Sequence, residues 1–204
     1  ALDFSVTPAH KMWCQPEGCG WRESTAESMY GKRYFVPTAA KALELPGDAQ
    51  FTLPAIARNG PKDTAWTGET ATIDAGDWAE FLGWYLAEGS FTWDTTTYEY
   101  RTHIAQRDVA NPGKQRAIAE LLGRLPFAWY YSAKNTQFHL SSKPLVSYVR
   151  QFGKSADKFV PDWLFRQSIA VRDRFLAAYW AGDGSVGVDP RDGSLTSRAA
   201  SVSR

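Results

Sequence analysis

The sequence of 204 residues predicts an α+β protein, with a module of order α-β-β-α-β-β-α over residues 77–184 and a mainly β segment before it. Two apolar segments of helical character each end on an acid, a glycine and a serine. Between them, stretches of alternating polar and apolar residues indicate strands. Prolines interrupt the first 75 residues too often for a long helix to form there.

The first helical segment covers residues 77–88, and most of the stretch FLGWYLAEGS at 81–90 lies within it. The second covers residues 168–182, and most of the stretch FLAAYWAGDGS at 175–185 lies within it. Asp77, with Glu80 three residues later, predicts a capping box at the first helix. Between these helices we expect a hairpin, a helix, a second hairpin, a further helix and a short connector. Their ranges are 90–106, 112–124, 127–140, 144–152 and 161–165.

Small residues four apart in each helix would let the two backbones approach closely along one face. If the helices pack in parallel through that face, Glu88 and Asp183 lie side by side at their C-terminal ends. Two carboxylates held so close repel unless a proton or a divalent cation lies between them. The pattern predicts a metal site held by both acids. The small residues are Gly83, Ala87, Ala177 and Ala181.

The two segments resemble the motif of the LAGLIDADG homing endonucleases, in particular the DOD-type members carried by inteins. Residues 176–184 (LAAYWAGDG) match the nine-residue motif at its first two and last two positions, and residues 81–89 (FLGWYLAEG) are similar to the intein-borne variant. The two acids are 95 residues apart, which fits one αββαββ repeat. The resemblance implies Mg²⁺-dependent hydrolysis of phosphodiester bonds in double-stranded DNA at a long specific site.

The resemblance implies two further catalytic residues. Gln106 stands where many members place a glutamine that positions active-site water. Lys158, shortly before Val160 and Pro161, matches a basic residue that stabilises the charge developing on the attacked phosphate. Lys154 is the competing assignment.

Strand alternation predicts which side chains meet DNA. Phe91, Trp93, Tyr100 and Ile104 would point inward, as would Thr102, and Phe138 and Leu140 would do so on the second hairpin. The opposite face would then enter the major groove, although a solvated sheet face is the plain alternative. Residues 101–174 carry a net charge of +8 and residues 62–99 one of −7, so a basic surface is available for phosphates. The outward residues are Ser90, Thr92, Asp94, Glu99, Arg101, His103, Arg107, Gln137 and His139.

Near the N-terminus, Thr7 and His10 resemble the T-x-x-H block of the intein splicing (Hint) domain, in which they would polarise a scissile peptide. The chain begins at Ala1 without the nucleophile of that domain, and it ends at Arg204 without the terminal His-Asn. We therefore expect no self-splicing and interpret both residues as vestigial.

His10, Cys14 and Cys19 also suggest a zinc site, but four ligands are usual and the segment between the cysteines favours a turn. Two cysteines give no disulfide framework, which predicts a cytoplasmic location. Because no apolar run reaches the roughly 18 residues of a membrane span, we expect no membrane partner.

The predicted domains are a partial Hint-like segment at 1–75, a first endonuclease repeat at 76–174 and the truncated start of a second repeat at 175–204. Because few residues follow Asp183, we expect a complementary chain to supply the missing C-terminal half. Two alternatives remain open: an intein fragment with an inactive nuclease, and a non-catalytic DNA-binding regulator of the same fold. The two converging acids favour the nuclease.

Overall fold

The computed structural model describes residues 6–36, 43–56, 70–107, 111–154, 157–188 and 195–199. It mixes helices and sheets, which confirms the predicted α+β class at that level. The chain divides into two compact units, Ala1–Leu43 and Glu44–Arg204. The segment predicted as the first domain, 1–75, therefore extends over the first unit and the beginning of the second.

The first unit holds a three-stranded antiparallel sheet. Strand β1 (Lys11–Pro16) lies between β2 (Arg22–Thr25) and β3 (Tyr34–Phe35). A single helical turn, α1 (Ala26–Met29), follows β2 and is capped by the Thr25 hydroxyl.

The second unit begins with a hairpin that leads directly into the first long helix. Strands β4 (Gln50–Leu53) and β5 (Ala71–Asp74) pair antiparallel, and α2 (Ala75–Glu88) follows. Asp74 is the N-cap of α2, because its carboxylate accepts a hydrogen bond of 2.9 Å from the backbone N–H of Asp77. The predicted capping box of Asp77 and Glu80 is therefore wrong, since the helix begins earlier and both acids instead bind Arg124 and Arg174.

Four further strands of this unit form an antiparallel sheet: β6 (Gly89–Asp94), β7 (Glu99–Ala105), β8 (Trp129–Ser132) and β9 (Gln137–Ser141). Their order in the sheet is β6-β7-β9-β8. The two predicted hairpins form one sheet because β7 pairs with β9.

Helices follow the strands in the predicted order. The first is α3 (Pro112–Arg124), and α4 (Lys143–Val149) continues as a 3₁₀ turn at Arg150–Phe152. A short α5 (Asp162–Phe165) precedes the second long helix, α6 (Ile169–Asp183). Strands β10 (Gly184–Val188) and β11 (Leu195–Ala199) then pair as a hairpin. Among the described residues, no helix is long and apolar enough to cross a membrane.

The core of this unit is built around α2, which packs with strands β4, β5, β7 and β9 and with helices α3 to α6. Phe51 stacks on Trp78 with ring centroids 4.5 Å apart, and Trp78 stacks on Phe81 at 5.2 Å. Phe91 and Trp93, predicted to point inward, are only partly buried because they lie on the edge strand β6. The other residues predicted to face inward are buried: Tyr100, Thr102, Ile104, Phe138 and Leu140.

Candidate active site

Helices α2 and α6 pack in parallel with their backbones in close contact. A methyl group on Gly83 would lie 2.7 Å from Cβ of Ala178, and one on Gly182 would overlap Cβ of Ala87. The contact positions rise together along both helices, which is the signature of parallel packing. The close contacts of Gly83 and Ala87 agree with the prediction.

The small residues predicted on α6 are partly wrong. Ala177 is exposed, and Ala178 and Gly182 make the close contacts with α2 instead. Ala181 is partly buried and packs beside the core. Because apolar residues run through 175–181 without a polar interruption, the sequence does not fix which face of α6 turns inward.

The parallel packing brings together the two helix ends that carry the predicted acids. Glu88 is the last residue of α2 and Asp183 the last of α6, and both are half-buried. A methyl group on Gly182 would lie 3.5 Å from Cγ of Glu88, so the Glu88 side chain runs beside the residue that precedes Asp183.

The two acids repel one another. Burial raises the pKa of the Glu88 carboxyl, and the Asp183 carboxylate raises it further, while Lys114 and Lys158 act in the opposite direction. Burial also raises the pKa of Asp183, against the effects of Lys158, a hydrogen bond with Tyr179 and Lys114. Both helices end here, so the partial negative charge of their last carbonyls adds to that of the acids.

This donor set suits a hard divalent cation such as Mg²⁺, which takes carboxylate and carbonyl oxygens and commonly uses one or two carboxylates beside water and phosphate. Within the described residues, no cluster of three or more His, Cys, Asp or Glu side chains could hold a metal. Glu88 and Asp183 would be two of the ligands, and others would come from water, backbone or a bound ligand.

Lys158 lies beside the acids, but its ammonium is already bound. Nζ donates hydrogen bonds to the carbonyl oxygens of Tyr85 (2.9 Å), Leu86 (3.1 Å) and Gly89 (2.7 Å). An ammonium has three N–H groups, so these bonds use all of them. Burial lowers the pKa of Lys158, whereas the Asp183 and Glu88 carboxylates raise it. The lysine thus caps the end of α2 and contributes positive charge at short range.

Lys114 is a cation near the site that sequence reasoning missed. It lies in the first turn of α3 and lowers the pKa of both Glu88 and Asp183. In the sequence it is one of thirteen basic residues in 101–174, and nothing local distinguishes it from the others.

Gln106 is 7% exposed and lies just after β7. Because Ile104 pairs with Gly89, Gln106 lies at the edge of the sheet where α2 meets β6. Its side-chain Nε2 is 3.5 Å from the backbone carbonyl oxygen of Arg107. Its backbone carbonyl oxygen accepts a hydrogen bond of 3.0 Å from the Tyr131 hydroxyl.

Strand register places the predicted DNA-contacting residues on the sheet face opposite the core. His103 lies between Ser90 on β6 and His139 on β9, and Thr92 lies opposite Arg101. Asp94 pairs with Glu99, and Gln137 lies on β9 two residues before His139. Arg107 is exposed just beyond the strand.

Two of these acids already have partners within the protein. The Asp94 carboxylate accepts backbone hydrogen bonds from Thr96 (2.7 Å) and Thr97 (3.1 Å) in the β6–β7 turn, and these bonds lower its pKa. Glu99 pairs with Arg101 at 3.1 Å. Asp94 therefore shapes the turn, and Glu99 orients the arginine.

His139 was predicted to point outward, but only 5% of it is exposed. Its ring stacks on Tyr130 with centroids 4.7 Å apart, and its Nδ1 lies 2.9 Å from Nδ1 of His103. Strand register puts its ring on the predicted face, where the neighbouring Tyr130 and His103 rings cover it. The sequence prediction missed Tyr130, which is 47% exposed on this face, and its hydroxyl lies 3.5 Å from Nη1 of Arg101.

In the first unit, Thr7 and His10 are exposed and form one turn, in which the His10 N–H donates to the Thr7 carbonyl at 2.9 Å. Cys14 is buried and Cys19 is exposed. The Cys19 N–H donates to the Pro16 carbonyl at 3.0 Å, which is the turn expected in place of a zinc site.

No protein-family profile matches the sequence. One curated relative, DNA-directed RNA polymerase subunit Rpo1C of Methanocaldococcus jannaschii, is 29% identical over 128 residues. That alignment takes in 60% of this chain, which spans only 14% of the relative's length.

Two solved structures of I-DmoI variants, each in complex with its target DNA in the presence of 2 mM manganese, are also similar. One, with DNA nicked in the coding strand, is 16% identical with a TM-score of 0.34 and covers 54% of this chain and 63% of its own. The other is 19% identical with a TM-score of 0.30 and covers 54% and 62%. Scores this low leave fold and function to be argued from the chain's own residues.

Proposed function

We propose that this chain is a DNA endonuclease module of the LAGLIDADG type, which hydrolyses phosphodiester bonds in double-stranded DNA with Mg²⁺. The observation that carries the proposal is the meeting of Glu88 and Asp183 at the ends of two helices packed in parallel through Gly83 and Gly182. A purely structural helix pair gains nothing from two repelling acids at the negative ends of both helix dipoles. A site for a divalent cation accounts for them.

The residues around the acids suit phosphodiester chemistry. A divalent cation held by Glu88 and Asp183 would polarise the scissile phosphate and neutralise charge on the leaving oxygen. Lys158 fixes the last turn of α2 and adds positive charge where the phosphate gains negative charge. Lys114 adds a second positive charge from α3. Gln106 lies at the adjacent edge of the sheet, where its amide could orient water.

The sheet face supports DNA as the substrate. Arg101 is held by Glu99 and lies against Tyr130, which gives a guanidinium with a fixed direction beside an exposed aromatic ring. Such a group can donate two hydrogen bonds to a guanine edge in the major groove. Strand register puts further predicted contact residues on the same face, and Arg107 is exposed just beyond β7. Those on the face are Ser90, Thr92, Asp94, His103, Gln137 and His139.

We further propose that the module is carried by an intein. The support is the T-x-x-H pattern of Thr7 and His10, which form one turn in the first unit beside a small β-sheet. The resemblance of residues 81–89 to intein-borne endonuclease motifs points in the same direction.

The test is cleavage of a randomised duplex library, read by sequencing the new DNA ends, with Mg²⁺ and in parallel with Ca²⁺. Wild type alone should cut at related sequences with Mg²⁺ and not with Ca²⁺, so this proposal, unlike the expectation from the sequence, does not require a complementary chain. Glu88→Gln and Asp183→Asn should each abolish the cuts while retention of the library on immobilised protein persists. Glu120→Gln removes an exposed acid of α3 and should cut like wild type. Equal cutting by all four proteins would refute the proposal.

A further inference from the structure

The DNA-facing side of the sheet contains a chain of three hydrogen-bonded side chains from three strands. Nδ1 of His139 lies 2.9 Å from Nδ1 of His103, and Nε2 of His103 lies 2.9 Å from Oγ1 of Thr92. The rings of the two histidines are nearly perpendicular, with centroids 4.8 Å apart. These distances are those of good hydrogen bonds, so each link needs one donor and one acceptor.

Proton counting leaves two arrangements for a neutral pair, because a neutral imidazole carries one N–H. In the first, His139 donates from Nδ1 to His103, and His103 donates from Nε2 to the Thr92 oxygen. In the second, the directions are reversed: Thr92 donates to His103, which donates to His139, and His139 must carry its own proton on Nε2.

The surroundings of His139 favour the first arrangement. Its Nε2 is buried and has no hydrogen-bond partner among the described residues. The second arrangement would place a buried N–H there without an acceptor, and the first would place a lone pair there without a donor. The positive charge of nearby Arg101 attracts the lone pair of this bare ring nitrogen, whereas it would repel an N–H.

We propose that His139 and His103 form a relay that fixes the Thr92 hydroxyl as a hydrogen-bond donor toward an acceptor atom of bound DNA. Thr92 Oγ1 accepts from His103, so its own proton is left to point away from the ring. Thr92 is partly exposed on the face proposed to meet DNA. The two histidines are thus positioning residues, and the inference rests on the proposed function for the identity of the ligand.

The electrostatic surroundings keep the relay neutral. Burial lowers the pKa of His103, and His139 and Arg101 lower it further, against Glu99. Burial and Arg101 also lower the pKa of His139, again against Glu99. The neighbouring strands contribute Thr92 and Tyr130 beside the two rings. A third ring proton would put a positive charge on one imidazole beside Arg101; on Nδ1 of His103 it would also break the bond between the two Nδ1 atoms.

The relay can be tested without DNA by nitrogen-15 NMR of the imidazoles in the full chain at pH 7.5. The expected result is a protonated Nδ1 and a bare Nε2 in His139, and the opposite tautomer in His103. Spectra of the single-substitution variants His103→Asn and His139→Asn, which each lose one of the three histidine signals, identify the signals. A proton on Nε2 of His139 would overturn the relay, whatever the protein does with DNA.

The DNA acceptor is tested with Thr92→Val, which keeps the side-chain shape and removes the hydroxyl, and Thr92→Ser, which keeps the hydroxyl. Each variant and wild type selects duplexes from a randomised library. If the acceptor is a base edge, Thr92→Val should lose preference at one position. If it is a phosphate oxygen, Thr92→Val should bind every selected duplex several-fold more weakly. Thr92→Ser should match wild type in both cases.

Identical selection and affinity for Thr92→Val and wild type would overturn the donor role. If wild type retains no duplex, the proposed function fails, and the NMR tautomers still decide the relay.

Discussion

Gly83 of α2 and Ala178 of α6 lie in direct contact, with room for no side chain on residue 83. A methyl group there would be 2.7 Å from Cβ of Ala178 and 2.5 Å from the carbonyl oxygen of Phe175. Because one of these atoms is backbone, the helices would have to move apart. This contact sets the helix separation at which Glu88 and Asp183 meet.

Gly83→Ala should therefore destabilise the second unit by about 1–3 kcal/mol, the range for overpacking a close-packed core. Gly123→Ala is the matched control, because Gly123 is also helical and nothing lies within 4 Å of a methyl group there. That control should be stabilised by about 0.4–1 kcal/mol. Urea unfolding of both variants measures the difference, and equal stability of the two would contradict close packing at Gly83.

Arg174 of α6 forms ion pairs with three acids at the start of α2. Its guanidinium binds the carboxylates of Asp77, of Glu80 at 2.7 Å and of Asp74 at 3.4 Å. Arg124 of α3 binds Asp77 at 2.9 Å and Glu80 at 3.0 Å. Arg174→Met should cost about 1 kcal/mol, since the pairs are partly exposed but form a network. Arg166→Met, which removes an exposed arginine nearby, should change stability little.

The stability contributed by this network depends on pH through Asp77. Burial alone would raise its pKa, but hydrogen bonds from Arg174 and Arg124 outweigh burial and hold it below the usual 3.8. A depressed carboxyl pKa gives stability that is present above 3.8 and is lost as the pH falls through the lower folded value. The gap between wild type and Arg174→Met in urea midpoints should thus shrink below that pH. A constant gap would exclude Asp77 as its source.

Lys158→Met should lower both stability and cleavage. Nζ caps three carbonyls near the end of α2, and hydrogen bonds from a charged donor are worth about 1.5–3 kcal/mol, so a loss of about 2 kcal/mol is expected. Lys154→Met, at the competing and exposed position, should leave both properties unchanged. Thermal unfolding and library cleavage measure both. Loss of activity in Lys154→Met alone would transfer the assignment to that residue.

Glu88→Gln should also lose cleavage, but its stability should rise. In the absence of divalent cations, removing one of two repelling carboxylates should raise the melting temperature by about 1–2 °C. A lower melting temperature for Glu88→Gln without metal would show that the acid stabilises the fold and does not oppose it.

The order of elements could be predicted because hydrophobic periodicity changes clearly along residues 77–184. The face of α6 that packs against α2 could not be predicted, since α6 is apolar on several faces. Only the contact with Gly83 selects Ala178 over Ala177. The start of α2 was misplaced because both Asp74 and Asp77 are good N-caps three residues apart. These errors are local, and they leave the two acids at the helix ends.

The surroundings of the site were harder to predict. The burial of His139 depends on β9 pairing with β7, a long-range contact that alternation within one hairpin does not encode. Lys114 approaches the acids only because α3 packs beside α2. The hydrogen bonds of Lys158 to three carbonyls likewise depend on a contact across about seventy residues.

The most direct test of the central claim is Mn²⁺ binding, followed by electron paramagnetic resonance of the free ion, in wild type and in the Glu88→Gln, Asp183→Asn double variant. It needs no knowledge of the DNA target, and random-sequence duplex is added in one arm to supply phosphate ligands. Wild type should remove Mn²⁺ from solution stoichiometrically, more tightly with duplex present, while the double variant should not bind it beyond duplex alone. Equal Mn²⁺ binding by both proteins would contradict the assignment of Glu88 and Asp183 as the metal ligands.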